Sequence, residues 1–525
     1  MKNGRSFIKG AIILGLSGIL AKFLGLFFRW PVTMLIGDEG IGIYQLAYPI
    51  YTFIIGIMSG FPIAISRMIS EKLALNNKAQ AYSIFKNSLI VLMLIGGGLS
   101  VSLYLSAPYL IKWLRWRGDA YYSLISIAAA PFFVSIMSCF RGYFQGMQMM
   151  ALPAGSQVVE QLGRVVVGVG LTYLLMPYGI GLSAAGASFG ACAGAISGCI
   201  LLIAGFMKRR KELIPRITCD RSGSTQNSIR ELLSIAVPIS IGMTVGSMMS
   251  LIDSIIVPAR LLSAGFSEKV ATELYGQLTG KAHVLINVPL TFSVALSTSL
   301  VPAMSEVKAL RNINKIKTRA EKALKVSILL AFPSSIGLYI LSNPILKLIF
   351  PGRSGGGELL QLLSISIIFI VIGQTMIGVL HGVGNISAPV KNLVIGSLFK
   401  LLFAYVLTAM PSLNIKGAAI SSIIGYGVAT FLNFKDAMKS AYFNVDFDRM
   451  VLRPLLSAIG MGAAVYMTYN KSMSFYESNG IATMISITAG IIIYMIMLIL
   501  FGSITLKELY LIMKGYKMDS GYRKG

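Results

Sequence analysis

Long apolar stretches, separated by short polar segments, run along nearly the whole chain. Fourteen of them can each supply the roughly 20 residues that cross a bilayer as an α-helix. This pattern predicts an all-α polytopic membrane protein of about 14 transmembrane helices. The predicted spans are about 8–36, 41–66, 83–108, 121–147, 153–176, 182–207, 231–257, 274–302, 323–349, 359–382, 389–410, 417–434, 451–469 and 480–502.

The chain contains an internal repeat. Shifting the region 138–173 forward by 236 positions aligns Gly142 with Gly378 and Arg164 with Lys400, and the neighbouring regions align at nearly the same offset. A nearly constant offset over this much chain indicates a tandem duplication, which is common among transporters. It predicts an N-terminal lobe at 1–207, a cytoplasmic connector at 208–230, a C-terminal lobe at 231–440, and two further spans with a cytoplasmic tail at 441–525.

Composition agrees with a membrane location. The chain is 55% hydrophobic and 13% charged, with a mean hydropathy of +0.74, which excludes a soluble globular protein. Of the 46 Lys and Arg residues, 30 lie at the termini and in alternate loops and 8 in the other loops. This asymmetry predicts a multi-pass plasma membrane protein with both termini in the cytoplasm. The net charge of +26 then indicates attraction to anionic membrane lipids, and no nucleic-acid-binding motif accompanies it.

Signatures of cofactors, metals and catalysis are missing from the sequence. The four cysteines have no C-x-x-C spacing and predict neither a disulfide nor a metal site. The glycines at four-residue intervals from Gly186 to Gly198 follow no predicted strand, so they indicate close helix packing and not a nucleotide-binding loop. The first segment lacks a small-residue cleavage site and is interpreted as a retained first helix, with a turn at 37–40 separating it from the second span.

Eight basic residues lie inside or close to the predicted spans, which is a costly place for a charge. Lys22 and Arg29 are seven residues apart and therefore share one face of the first helix. We expect Lys22, Arg29, Arg141 and Lys281 to bind the phosphates of an anionic cargo, although Arg29 has the alternative of reaching the head groups at the membrane surface. The other embedded cations are Arg164, Lys347, Lys391 and Lys400.

The embedded acids are fewer, and their expected roles differ. Glu160 and Arg164 stand one helical turn apart, which favours a structural ion pair within one helix. Asp253 is isolated in the seventh span, where it either takes a coupling cation or pairs with a basic neighbour. Several embedded cations and few embedded acids favour an anionic cargo over a cationic one.

Two sequence segments carry a family resemblance. The run from Phe140 to Arg164, FRGYFQGMQMMALPAGSQVVEQLGR, and the run GFPIAISRMISE at 60–71 resemble the stage V sporulation protein B group of the MurJ-like lipid flippases. That group belongs to the superfamily that also holds polysaccharide flippases and multidrug and toxin extrusion pumps. The resemblance covers the whole chain, and Lys22 matches a basic position of the family's first helix.

The resemblance implies two six-helix lobes around a central cavity and two C-terminal helices beside a hydrophobic groove. It also implies that basic cavity residues hold the diphosphate of an undecaprenyl-linked glycan lipid. The expected protein is therefore a flippase for a peptidoglycan precursor of the lipid II type, without a cofactor, acting in spore cortex or general cell-wall synthesis, with the cell-wall synthesis machinery as a candidate partner. Some relatives bind sodium through acids of two helices, and span 11 here offers Lys391, Asn392 and Lys400 instead.

Other functions lead to different expectations. A flippase for another lipid-linked polysaccharide unit would share the same features. A cation-coupled multidrug exporter of the same fold should show several embedded acids, and a membrane enzyme should show a large outer domain or clustered Asp, Glu and His. A membrane scaffold would leave the embedded cations unexplained.

Overall fold

A computed structural model describes residues 2–214 and 225–503, and no residue in these ranges lies in a β-strand. Apart from short 3₁₀ and π segments, the regular elements are nineteen α-helices. They are α1 Lys2–Met58, α2 Gly60–Ala74, α3 Lys78–Trp113, α4 Ala120–Ala128, α5 Ala130–Gly146, α6 Ala151–Leu174, α7 Ile180–Lys208, α8 Arg210–Leu213, α9 Thr225–Ser263, α10 Glu268–Gly276, α11 His283–Ala309, α12 Ile313–Ile340, α13 Ser342–Ile349, α14 Gly357–Ser364, α15 Ser366–Gly382, α16 Ser387–Leu407, α17 Ile415–Ala441, α18 Arg453–Tyr476 and α19 Asn479–Leu500.

The all-α membrane class is confirmed, whereas the count of fourteen spans is not. Within the described ranges, eleven helices are long and apolar enough to cross a membrane, or twelve if the bent pair of α14 and α15 forms one span. Two features explain the difference. The first two predicted spans are two helical segments that meet at a kink at Gly37, where φ is 67°, and they are counted as one helix. The fifth corresponds to α6, whose polar residues include Glu160 and Arg164 and reduce its apolar character.

Contacts divide the chain into two compact units. Unit 1 comprises Met1–Lys281 and Lys400–Ala418, and unit 2 comprises Ala282–Phe399 and Ala419–Gly525. The core of unit 1 lies among α1, α2, α3, α5 and α7, with aromatic side chains at its centre. These units are defined by contacts, and the lobes at 1–207 and 231–440 remain a prediction from the repeat.

Glycines let α7 pack directly against the backbone of α6. A Cβ atom at Gly186 would lie 2.7 Å from the carbonyl carbon of Leu171, and one at Gly194 would lie 2.5 Å from the carbonyl oxygen of Glu160. Contacts this close require glycine, as expected for small-residue packing between membrane helices. They fix how α6 is rotated and therefore which way its charged side chains leave the helix.

Unit 2 has its own core, formed by α11, α12, α15, α17, α18 and α19. The two C-terminal helices pack on α12: the Tyr494 hydroxyl on α19 donates a hydrogen bond of 3.0 Å to the Leu329 carbonyl. The tandem repeat is also visible in detail. Ser70 Oγ donates to the Gly146 carbonyl at 3.0 Å in unit 1, and Ser305 Oγ donates to the Gly382 carbonyl at 3.1 Å in unit 2.

Candidate functional site

Two arginines of unit 1 meet at one tyrosine ring. The guanidinium carbons of Arg29 on α1 and Arg164 on α6 lie 5.9 and 5.8 Å from the ring centre of Tyr48. Arg164 Nη1 also donates to the Tyr48 hydroxyl at 3.1 Å, and its guanidinium lies 6.0 Å from the ring of Tyr51. Arg29 Nη1 donates to the Thr279 carbonyl at 3.1 Å. We call Arg29, Tyr48, Tyr51 and Arg164 the arginine–tyrosine cluster.

The cluster has unused hydrogen-bonding capacity in a buried setting. Arg164 is 8% exposed, and its Nε finds no acceptor among the described residues. The hydroxyl of Tyr51 and Oε1 of Gln45 are buried and likewise have no partner within the described ranges. Cation–π contacts compensate part of the cost of burying a guanidinium. The Nε of Arg164 and the hydroxyl of Tyr51 remain as donors that suit an anionic group, whereas Oε1 of Gln45 is an acceptor.

The predicted pairing of Glu160 with Arg164 needs correction. Glu160 Oε2 lies 2.9 Å from Nη2 of Arg141, which belongs to the neighbouring helix α5. Arg141 Nε also donates to Ser156 Oγ at 2.8 Å. The tight packing of α7 on α6 directs Arg164 towards the tyrosines of α1, and Glu160 is then reached from α5. Arg141 is therefore the ion-pair partner of Glu160, whereas Arg164 forms no ion pair with a carboxylate among the described residues.

Lys281 does not lie in an open cavity. Its side chain is fully buried and forms an ion pair with Asp38 of α1, and Gln277 Nε2 donates to the same carboxylate at 2.9 Å. In this conformation the ion pair joins α1 to the π-helical segment Gln277–Ala282, and the role of Lys281 in holding cargo stays a prediction. Lys22 belongs to α1, but its side chain lies outside the described residues.

A second set of charges follows Asp38 on α1. Glu39 forms ion pairs with Arg117 and with Lys269 Nζ, the latter at 3.6 Å, and Arg117 Nη2 lies 2.8 Å from Asp119 Oδ2. No role was predicted for these residues, because they fall in a predicted turn and in loops. One signal in the sequence could have indicated these ion pairs. Acidic residues (Glu39, Asp119) and basic residues (Arg117, Lys269) all lie close to the ends of predicted spans. Together they fasten α1 to α10 and to the segment after α3.

Asp253 and Lys400 form a buried ion pair in unit 1. Lys400 Nζ lies 2.7 Å from Asp253 Oδ2 and donates to the Met249 carbonyl at 2.8 Å, and each side chain is 1% exposed. Asp253 Oδ1 accepts no hydrogen bond from the part of the chain that the structure describes. The sequence left two roles open for Asp253, binding of a coupling cation or pairing with a basic neighbour. The structure shows the pairing. No group of three His, Cys, Asp or Glu side chains suited to a metal occurs within 2–214 and 225–503.

Unit 2 contains an apolar groove of about 620 Å³ between α11, α12, α13, α18 and α19. Its walls are formed almost entirely by aliphatic and aromatic side chains, and they include Pro289 inside α11 and Pro333 inside α12. Such a surface accepts an acyl or isoprenoid chain and repels a charged group. Lining residues include Val288, Phe292, Leu338, Val465, Ile491 and Tyr494.

Comparisons with known proteins agree with this architecture. Residues 7–308 match the family model described as polysaccharide biosynthesis protein, and residues 282–406 match the MatE model. Stage V sporulation protein B of Bacillus subtilis (strain 168) is 28% identical over 96% of this chain and 97% of its own length. The lipid II flippase MurJ of the same organism is 26% identical over 87% of each chain.

A solved structure of the lipid II flippase MurJ in an inward closed conformation has the same fold. It superposes with a TM-score of 0.71 at 17% identity, covering 93% of this chain and 98% of the other. The resemblance noted in the sequence is thereby confirmed. The chain belongs to the polysaccharide biosynthesis protein family, and it is a multi-pass membrane transporter rather than an enzyme.

Proposed function

We propose that this protein is a flippase that carries an undecaprenyl-diphosphate-linked peptidoglycan precursor of the lipid II type from the cytoplasmic to the outer leaflet. Its place would be in spore cortex or general cell-wall synthesis. The similarity to stage V sporulation protein B and to a lipid II flippase supports this cargo class. The arginine–tyrosine cluster is the observation that carries the proposal.

A diphosphate suits that cluster chemically. Arg29 and Arg164 supply two guanidinium groups that approach the same ring, and neither forms an ion pair with a carboxylate in the described chain. Guanidinium groups bind phosphate oxygens through two parallel charge-assisted hydrogen bonds. The Nε of Arg164, which lacks an acceptor, is one such donor. We therefore assign Arg164 to the cargo together with Arg29 and Lys22, and assign Arg141 and Lys281 to structural ion pairs.

The apolar groove of unit 2 supports the lipid part of the proposal. The cargo has a polar, doubly charged head that crosses the membrane only at high cost and an isoprenoid tail that is stable in lipid. A groove lined by Phe292, Val465 and Ile491 gives such a tail a binding surface. An amphiphile with a diphosphate and a long tail is the class of molecule that would use both features.

A cation-coupled drug exporter is less well supported. Exchange of a cationic drug for protons or sodium needs a carboxylate that is available for the cation. Four carboxylates in or beside the spans of unit 1 each have a basic partner. These contacts are Asp38 with Lys281, Glu39 with Arg117, Glu160 with Arg141, and Asp253 with Lys400.

For the transport cycle we propose alternating access. The lobes at 1–207 and 231–440 would move against each other as near-rigid bodies, with both chain termini in the cytoplasm. Cargo binding drives such a change only if its contacts differ between the states. The contacts of α1 with α10 through Glu39 and Lys269 are of the kind that would form in one state and separate in another.

Depletion of the protein tests the cargo. If the proposal is right, undecaprenyl-linked peptidoglycan precursor accumulates on the cytoplasmic leaflet, where an impermeant probe added outside cannot reach it. Arg164→Gln should fail to restore outward movement, whereas Lys86→Gln, which removes an exposed cation of α3, should restore it. Accumulation of a different lipid-linked polysaccharide would assign that lipid as the cargo, and normal leaflet distributions would refute the flippase assignment.

A further inference from the structure

A basic pocket lies in unit 2 where the C-terminal ends of α11 and α15 meet. It has a volume of about 390 Å³ and is lined by Lys308, Arg311 and His381, among others. Lys308 Nζ donates to the Val383 carbonyl, which leaves two of its three protons for a ligand. The nearest acid in sequence, Glu306, is engaged by Arg319 at 3.3 Å. The pocket therefore has an excess of positive charge.

Basic residues at helix C-termini often serve only to interact with the last carbonyl groups and the helix dipole. The tandem repeat provides an internal control for that explanation. At the ends of α2 and α5 in unit 1, the three equivalent positions carry neutral residues, and the basic residue in the last turn of α2 is Lys72, at a different position. In the repeat alignment, Leu73 is at the position of Lys308, Asn76 at that of Arg311 and Gln145 at that of His381.

The backbone at the two places is nearly the same. Asn76 and Arg311 both adopt left-handed angles, with φ of 56° and 52°. Asn76 N donates to the Leu73 carbonyl at 3.0 Å, and Arg311 N donates to the Lys308 carbonyl at 2.9 Å. The same turn thus forms with neutral side chains in unit 1. The turn consequently does not require cations at these positions, and the one helix-end contact shown for them, from Lys308 to the C-cap carbonyl of Val383, uses a single proton of the ammonium group.

The surroundings of the pocket indicate what kind of anion it takes. Three aliphatic residues lie within two positions of pocket residues in the sequence and are exposed. They are Leu310, Ile313 and Ile386, with 67%, 55% and 63% of their surfaces accessible. Cations beside exposed aliphatic side chains are characteristic of the level at which phosphates and acyl chains of a bilayer meet. The charge distribution of the loops predicts that this end of α11 and α15 faces the cytoplasm.

We propose that this pocket binds the phosphate of an anionic phospholipid of the cytoplasmic leaflet. Lys308 and Arg311 donate charge-assisted hydrogen bonds to the phosphate oxygens, and His381 provides a third contact. The glycines at 382 and 384 keep the wall next to the ligand free of side chains. The bound lipid would connect α11 with α15. This proposal does not depend on the transported cargo.

The test uses the full-length protein in detergent and phosphatidylglycerol as the probe, with bound lipid counted by native mass spectrometry. Lys308→Leu, Arg311→Asn and His381→Gln are combined, because these residues already occur at the equivalent positions of unit 1. We expect the combined variant to bind this lipid about thirtyfold more weakly, since Lys308 and Arg311, as cations near a membrane surface, each contribute about a fivefold preference. The control variant combines Lys315→Gln with Lys322→Gln, which removes two exposed cations of α12.

Three results would refute the proposal. They are equal loss of binding in the control variant, equal binding of phosphatidylcholine, and unchanged binding in the combined variant with an unaltered melting temperature. Inorganic phosphate separates a lipid site from a simple phosphate site. We expect it not to displace phosphatidylglycerol at matched concentration, and full displacement would overturn the assignment to a lipid.

Discussion

Arg141 Nη2 lies 2.9 Å from Glu160 Oε2, so the carboxylate of α6 is neutralised by the neighbouring helix α5 and not by its own helix. The pair is partly exposed, with 16% and 13% of the two side chains accessible. An ion pair of this kind holds two helices together while leaving the next cation of α6, Arg164, available. The division of roles between the two arginines leads to separate expectations for each.

Removing Arg141 should destabilise the protein. Arg141→Ala leaves Glu160 without its cationic partner, and loss of one member of a buried pair costs about 3 kcal/mol, with a lower value here because the pair is partly exposed. We expect a lower melting temperature in detergent and reduced abundance in the membrane. The double variant Arg141→Ala with Glu160→Gln should recover most of the loss. Equal stability of Arg141→Ala and the wild type would show that the pair has no structural role.

Removing Arg164 should impair transport and leave the fold intact. Arg164→Gln retains hydrogen-bonding capacity but removes the charge, and a charge-assisted hydrogen bond is worth about 1.5–3 kcal/mol, so outward movement of cargo should fall roughly ten- to a hundredfold. Tyr48→Phe, which removes only the hydroxyl contact, should have a smaller effect. The measurement is the rate of precursor translocation at equal protein abundance. Unimpaired transport by Arg164→Gln would remove the arginine–tyrosine cluster from the cargo site.

The sequence was sufficient for the fold class, because fourteen apolar stretches and a constant repeat offset depend only on residue type and spacing. It was not sufficient for the ion-pair partners. The i to i+4 rule describes neighbours on one helix, whereas the partner of Glu160 belongs to another helix, α5, which only the tertiary packing brings beside it. Asp38 was missed for a similar reason: the sequence places it in a turn, the backbone does kink there at Gly37, and only the tertiary packing brings Asp38 beside Lys281.

The Asp253–Lys400 pair should make transport independent of sodium. The Lys400 ammonium lies 2.7 Å from Asp253 Oδ2, where it supplies the positive charge that a coupling ion would otherwise bring. We expect equal transport rates in vesicles when sodium is replaced by potassium or choline. Lys400→Met should reduce protein abundance because a bare carboxylate is left buried, and Asp253→Asn in the same chain should restore it. A strict requirement for sodium in the wild type would contradict this interpretation.

Filling the apolar groove should block binding of the lipid tail. Ile491→Trp places a large ring in the groove of unit 2, and we expect weaker binding of a long-chain isoprenoid diphosphate with little change in melting temperature. Ile492→Trp is the matched control, because the adjacent residue is 55% exposed and does not line the groove. The affinities of both variants are measured with the same lipid in detergent. Equal affinities would show that the groove does not hold the tail.

The close contact between α1 and α10 provides a test of alternating access. A Cβ atom at Gly42 would lie 2.1 Å from the carbonyl oxygen of Thr272. Backbone atoms cannot move aside as a flexible side chain can, so Gly42→Ala should disfavour any state in which the two helices touch. If the predicted lobes separate here during the cycle, the variant shifts the population towards the separated state.

The expected result is faster labelling of a cysteine placed at Thr279 by an impermeant reagent added from outside. Thr279 is 6% exposed in the present structure, so little labelling should occur before the helices part. Gly98→Ala serves as the control, because a Cβ atom there would meet no described atom within 4 Å. Both variants need a normal melting temperature for the comparison to hold. Identical labelling rates in Gly42→Ala, Gly98→Ala and the parent would mean that α1 and α10 stay together throughout transport, and rocking of the lobes at this contact would be wrong.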